Sequence, residues 1–339
     1  MTTRPSPSSP APRPGRALLL ALAVAAGLLA ACGSGAETGA VDTEPDAADT
    51  TAAAANAGTG DPDFPVEIDT AAGPVTIEAR PEAIVSMSPT ATEMLWAVGA
   101  GDQVKAVDSL SNYPEGTPVT DLSAYEPNLE AIAAQQPDLV VLGFANDEIQ
   151  AGLSGLGIPV LLEEAATGLD DTYSQMTELG LATGHPDEAA AAVASLRSGI
   201  EAVVQGMPAT PGAKPTVYHE LDDTFYSASS GSFIGQLYQL LGYDNIADAA
   251  DPDGSVGYPQ LNAELIIQAN PDLIVITDAY SYGPADIAAR PGWNTIKAVA
   301  DDRVVVVNDD VASRWGPRVV DFLRTIADAT PVPAGAAQQ

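Results

Sequence analysis

Apolar and polar positions change period several times along the chain, and each change marks an element. "VEIDTAAGPVTIEARP" (66–81) alternates on both sides of Gly73-Pro74, the pattern of a short hairpin. "EAIVSMS" (82–88) predicts a buried strand. The segment Pro89–Val98 carries Met94, Leu95 and Val98 at helical spacing, and Gly99 ends it. Strand patterns "QVKAVDS", "DLVVLGF" and "GIPVLLEE" then alternate with helical ones, ending in "TYSQMTELGLATG". This is the grammar of an α/β lobe with a largely parallel sheet. From Pro186 to Gly206 the pattern is helical throughout and predicts one helix roughly 30 Å long.

The order then repeats. "SFIGQLYQLLG" (232–242) matches "TATEMLWAVG" (90–99), and "NAELIIQANPDLIVI" (262–276) matches "NLEAIAAQQPDLVV" (128–141). In both copies of the second motif an Asn stands two residues before a Glu, and Pro-Asp-Leu follows seven residues after it. Asn128 is a good helix N-cap, and Glu130 falls in the first turn, where the helix dipole favours negative charge by ~0.3–1 kcal/mol. Glu264 stands in the same place in the second copy. A strand "DDRVVVVND" and a helix "WGPRVVDFLRTIADA" complete the second half. The expected fold class is α/β: two lobes with parallel-type sheets, joined by a single long helix. The expected boundaries are 63–184 for the first lobe, 185–208 for the interlobe helix, 209–330 for the second lobe and 331–339 for a tail.

The first 62 residues have a different composition. Arg4, Arg13 and Arg16 precede the apolar run "ALLLALAVAAGLLAA" (17–31), too short for an ordinary membrane span. It ends Leu29-Ala30-Ala31-Cys32, which resembles the lipobox of bacterial lipoproteins, where the chain is cut before the Cys and its thiol takes lipid. Residues 1–31 are therefore expected to be a lipoprotein signal peptide, and Cys32 the lipidation site. Residues 32–62 lack large apolar side chains and are expected to form a disordered tether reaching roughly 30 Å. The implied location is the extracytoplasmic face of the cell membrane, anchored by lipid.

Charge narrows the function. The chain has 13 Lys and Arg against 46 Asp and Glu, a formal net charge of −33. Removal of the leader takes three Arg and no acid, leaving 10 basic and 46 acidic residues. Nucleic-acid binding needs basic clusters, and none is present. One Cys permits no intrachain disulfide, and the two His, His185 and His219, are too few for an imidazole-built zinc site. The patterns G-x-S-x-G, Walker A and H-E-x-x-H are absent, and "GAGDQV" lacks the third Gly of a dinucleotide loop. "DPDGSVG" (251–257) lacks the ligand spacing of a calcium loop. No metal site and no catalytic residue is assigned, and the expectation is a protein that is not an enzyme.

Taken together, "AIVSMSPTATEMLWAVGAGDQVKAVDSLSNYP", "NLEAIAAQQPDLVV", "SFIGQLYQLLGYDNIAD", "ELIIQANPDLIVI" and "RPGWNTIKAVADDRVVVVNDDVASRWGPRVVDFL" resemble the substrate-binding proteins of ABC importers for ferric siderophores, haem and cobalamin. The segments span most of residues 80–325, in family order. The resemblance implies a ligand cleft between the two lobes, which close only slightly on binding. It also implies docking of Glu130 and Glu264 onto Arg residues of a two-subunit permease, itself coupled to ATPase subunits. The protein is then expected to act as a monomer with no cofactor of its own.

By position, the resemblance places the ligand site in loops after the strands. These supply Ser88, Tyr113, Tyr125 and Phe144 from the first lobe, and Tyr226, Ser230, Tyr258, Arg314 and Trp315 from the second. Ser88 and Ser230 are expected to donate hydrogen bonds from matching turns. Aromatic faces bury area at low entropy cost, and Tyr keeps a polar tip. Only Arg314 is a clear cleft cation, which argues against a triply anionic catecholate chelate. An iron–siderophore complex of the hydroxamate type is the leading ligand and a corrinoid the alternative. Haem stands behind both, because it wants a Tyr or His axial ligand and His219 sits at a strand end. An enzyme or adhesion module on the same scaffold is the competing function.

Overall fold

A computed structural model describes residues 63–70, 73–208 and 212–330. The leader, Cys32 and tether expected over 1–62, and the tail expected over 331–339, lie outside the described residues. The first elements are an antiparallel pair, β1 (Val66–Thr70) and β2 (Gly73–Ile77). Gly73 and Pro74 are themselves strand residues, opposite Thr70 and Asp69. Gly73 and Pro74 thus belong to the second strand rather than to the connection between the two.

The first lobe follows as β3 (Ile84–Met87), α1 (Pro89–Ala97), β4 (Val104–Val107), α2 (Leu129–Ala133), β5 (Leu139–Leu142), α3 (Asp147–Gly155), β6 (Val160–Leu162) and α4 (Leu169–Thr183). Its sheet is parallel throughout, in the order β4-β3-β5-β6. All residues of β3 and β5 are buried, and all but Ser86 are apolar, because helices cover both faces of a parallel sheet. α4 ends on Gly184 in the left-handed conformation. The long helix α5 (Pro186–Gly206) follows, over the span its pattern predicts. It lies close against α4, and a Cβ on Gly180 would sit 2.2 Å from the Cβ of Ala189.

The second lobe contains β7 (Thr216–Glu220), α6 (Phe233–Leu240), β8 (Asp244–Asn245), α7 (Ala263–Ala269), β9 (Leu273–Thr277), α8 (Pro284–Ala289), α9 (Lys297–Ala300), β10 (Val304–Val307), α10 (Asp309–Ser313) and α11 (Val319–Ala329). The order β10-β9-β7-β8, again all parallel, is that of the first sheet with each strand replaced by its counterpart. One apolar cluster runs through both lobes. It includes Ile84 and Val141 of the first sheet, Val217 and Val275 of the second, Leu196 and Ile200 of α5, and Phe322 of α11. A shared core of this kind makes the connection between the lobes stiff.

The repeated motif is a structural unit in both lobes. Asn128 caps α2 by accepting from Ala131 N at 2.9 Å, and Asn262 caps α7 by accepting from Leu265 N at 2.9 Å. Each helix leaves through a left-handed residue before the Pro: Gln136 at φ 54° and Asn270 at φ 51°. The Asp of Pro-Asp-Leu then ties the motif to the start of the next strand over. Asp138 accepts from Glu82 N and Ala83 N at 2.8 and 2.9 Å, just before β3, and Asp272 accepts from Thr216 N at 2.9 Å, the first residue of β7.

Candidate ligand-binding cleft

Parallel strands bring their carboxyl ends to one edge, and the loops leaving that edge form the natural site of an α/β lobe. Here a cavity of about 360 Å³ lies between loops of the first lobe and α10 with its following residues in the second. The first lobe contributes Ser88, Asn112, Tyr125 and Phe144, and the second contributes Asp310, Arg314 and Trp315, among others. Gly143 lets the end of β5 approach α1: a Cβ there would stand 2.9 Å from the Cβ of Ser88. The rings of Tyr125 and Phe144 are 5.5 Å apart, tilted by 32°, and both are exposed.

Five of the nine expected ligand-binding residues therefore line one cavity: Ser88, Tyr125, Phe144, Arg314 and Trp315. Tyr113, Tyr226, Ser230 and Tyr258 do not. Tyr113 is half-exposed, with the Arg318 guanidinium 4.3 Å from its ring centre. Tyr226 pairs with Gln260 in an isolated bridge, and Tyr258 is partly exposed in the loop just before it. Ser230 spends its hydroxyl proton on Asp248, at 2.8 Å. The true counterpart of Ser88 is Ser232, since each accepts from a backbone N–H in the first turn of its helix, α1 and α6.

Arg314 is not the free loop cation its sequence context suggests. It is buried, and its guanidinium donates to Glu93 Oε1 (2.8 Å), Asn112 Oδ1 (3.0 Å), Leu110 O (3.0 Å) and Asp310 Oδ1 (2.6 Å). Arg318 donates to Glu93 as well, through Nε at 2.8 Å to Oε2 and through Nη2 to Oε1. That bond holds the Arg318 guanidinium even more firmly protonated than usual. Trp315 is half-buried, its indole N–H donating to Gln175 Oε1 at 2.9 Å.

Sequence reasoning passed over Asn112 and the pair Asp309-Asp310, which line the same cavity. Asp309 and Asp310 begin a helix that the strand pattern "DDRVVVVND" overran. Tyr280, in the loop after β9, is partly exposed. Desolvation first, and then the carboxylates of Asp222, Asp309 and Asp223, raise its phenol pKa. Position alone could have found it, at the carboxyl end of a predicted strand.

The remaining candidates have structural roles. His219 is wholly buried, with Nδ1 2.7 Å from the Tyr238 hydroxyl and its ring against Phe322, so it cannot reach a ligand in the cleft. Asp251 closes its own loop, accepting from Val256 N, Gly257 N and Ser229 Oγ. Among the described residues no group of three or more His, Cys, Asp or Glu is placed to hold a metal ion, and no helix is long and apolar enough to cross a membrane. Glu130 and Glu264 are each the second residue of their helices, α2 and α7, and both are exposed.

The model of a family described as periplasmic binding protein matches residues 84–311. The chain belongs to that family. It is 31% identical over 276 residues to the cobalamin-binding protein of Halobacterium salinarum, covering 78% of this chain and 74% of that one. It is 30% identical to the uncharacterised ABC transporter substrate-binding lipoprotein YvrC of Bacillus subtilis, covering 78% and 85%. Among solved structures, the periplasmic vitamin B12-binding protein BtuF of Vibrio cholerae superposes with a TM-score of 0.58 at 23% identity, over 74% of this chain and 96% of that one. These relatives are substrate-binding proteins, and the two-lobed architecture of this chain is theirs. The protein is thus a binding protein of the periplasmic type.

Proposed function

We propose that the protein captures a cobalt corrinoid and delivers it to an ABC permease. The observation that carries the choice of ligand is the state of Arg314. Among the described residues it is the one basic side chain lining the cavity, and Glu93 and Asp310 already neutralise it. What remains for a ligand is aromatic surface, neutral polar groups and carboxylate. Such a lining suits a chelate of neutral or positive overall charge and opposes a triply anionic one. Both the corrinoid and the neutral hydroxamate chelate expected from sequence meet that condition. The cobalamin-binding relative at 31% identity tips the reading to the corrinoid. The protein binds and releases its ligand unchanged, works as a monomer, and is held to the membrane through lipid on Cys32. Glu130 and Glu264 present one carboxylate per lobe to a two-subunit permease.

Calorimetric titration with cyanocobalamin, a neutral ferric trihydroxamate, haem and a ferric tris-catecholate tests the ligand. Tightest binding to cyanocobalamin is expected. Tightest binding to the hydroxamate would return the assignment to an iron carrier, and tightest binding to the catecholate would overturn the charge argument. Cys32→Ala is expected to leave an unprocessed precursor or release the protein from membranes. Processing and membrane retention like the parent's would remove the lipid anchor from the reading.

A further inference from the structure

The cavity wall has a support behind it that no expectation from sequence included. Glu93, on α1 of the first lobe, is 2% exposed and does not line the cavity. Its carboxylate receives two guanidinium groups from the second lobe, those of Arg314 and Arg318. A buried carboxylate needs such compensation, and the forked donors fix direction as well as charge. Arg314 passes the constraint on. It grips Leu110 O and Asn112 Oδ1 of the first lobe and Asp310 of α10, while Asn112 Nδ2 donates to Asp310 Oδ2 at 2.7 Å. Leu110, Asn112, Asp310 and Arg314 all line the cavity.

The matching contact on the other side of the pseudo-symmetric body is different. There α6 meets the loop before α4, and Gln236 donates to Thr167 O at 2.6 Å with no charge involved. The lobes are thus latched by charge at the cavity and only by a neutral amide at the corresponding place.

We propose that Glu93 is a positioning residue for ligand binding: it draws Arg314 across the lobe boundary and so sets the aperture of the cleft. This rests on the reading of the cavity as the ligand site. α10 is a five-residue helix ending at Ser313, and Arg314 and Trp315 follow it in extended chain. Without Glu93, Arg314 keeps only its bond to Asp310 as an ion pair, and that bond lies within the second lobe.

The test uses Glu93→Gln, Arg318→Gln and the double variant, with Tyr243→Phe as a control. Tyr243 is buried in the second lobe, where its hydroxyl meets Thr330 at 2.8 Å. Affinity for cyanocobalamin and amide hydrogen exchange of residues 309–316 are measured together. Glu93→Gln is expected to weaken binding by about tenfold or more, within the usual range for coupled sites. It should also speed exchange in 309–316, while Tyr243→Phe does neither. The double variant removes one negative and one positive charge, so it restores charge balance without restoring the latch. It is expected to recover thermal stability but not affinity. Should Glu93→Gln fail to fold, Glu93→Asp carries the test: it keeps the charge but draws the carboxylate back from Arg314, with weaker binding and faster exchange of 309–316 expected. Parent-like affinity in Glu93→Gln, or full recovery of affinity in the double variant, would reduce Glu93 to charge balance and overturn the proposal. If the parent binds no cyanocobalamin, the ligand assignment has failed, and the exchange arm decides alone. Unchanged exchange in Glu93→Gln, or in Glu93→Asp where that variant carries the test, would then overturn the latch.

Discussion

Tyr125 and Phe144 hold their rings 5.5 Å apart on neighbouring loops of one lobe, and neither is buried. An exposed aromatic pair contributes little to folding and keeps area in reserve for a ligand face. Tyr125→Ala and Phe144→Ala should each weaken ligand binding by about two- to tenfold, from ~0.5–1.5 kcal/mol per aromatic contact. The melting temperature should hardly move. Calorimetry paired with thermal denaturation checks this, and a large fall in stability with unchanged affinity would assign the pair to the fold instead.

A second prediction concerns acid. Burial pushes the His219 imidazole down to about 4 from its ordinary 6.5. A group whose folded pKa is depressed is penalised when it must take a proton, so the folded state is favoured above pH 6.5. That advantage is lost as pH falls from 6.5 towards 4. The 2.5-unit gap corresponds to about 3 kcal/mol. Urea unfolding across pH 4–7 should show this slope, and His219→Gln should flatten it.

Glu163 acts in the opposite sense. It is buried at the end of β6 with Oε1 unpartnered among the described residues, and burial first, then the nearby charge of Glu178, push its pKa well above the ordinary carboxylate value. A raised folded pKa means the stability it carries is present below about pH 4.5 and lost as pH rises through the folded value. Glu163→Gln should therefore match the parent near pH 4 and exceed it in stability at pH 8. Equal stability of the two proteins at both pH values would show that the carboxylate is better solvated than its burial implies.

The fold was legible because its signals are local. Pro186 and Gly206 bound the long helix, and the Asn caps and Pro-Asp-Leu exits mark both repeats. The cleft was legible in part, because the carboxyl end of each strand can be located by pattern. Which side chains meet across the lobes cannot. Glu93 and Arg314 are 221 residues apart, and nothing in "TEMLW" distinguishes a carboxylate that will be buried. Ser230 fails as a ligand contact for the same reason: its hydroxyl partner, Asp248, lies on a different segment.

The last prediction concerns Glu130 and Glu264, which begin equivalent helices, one per lobe, and are both exposed. If they serve only their helix dipoles, Gln at either position should cost ~0.3–1 kcal/mol of stability and change nothing else. If they dock the permease, Glu130→Arg and Glu264→Arg would set like charges against its Arg residues, and such a mismatch costs several kcal/mol. Neither residue lines the cavity, so affinity for the ligand in solution should be unchanged. Stimulation of the transporter's ATPase in liposomes should fall in each single variant and fall furthest in the double one. The asymmetry between the two measurements separates the roles, because loss of helix stability would lower both together. Parent-like stimulation by the double Arg variant would leave capping, and the strand tie made by Asp138 and Asp272, as the whole reason for the repeat.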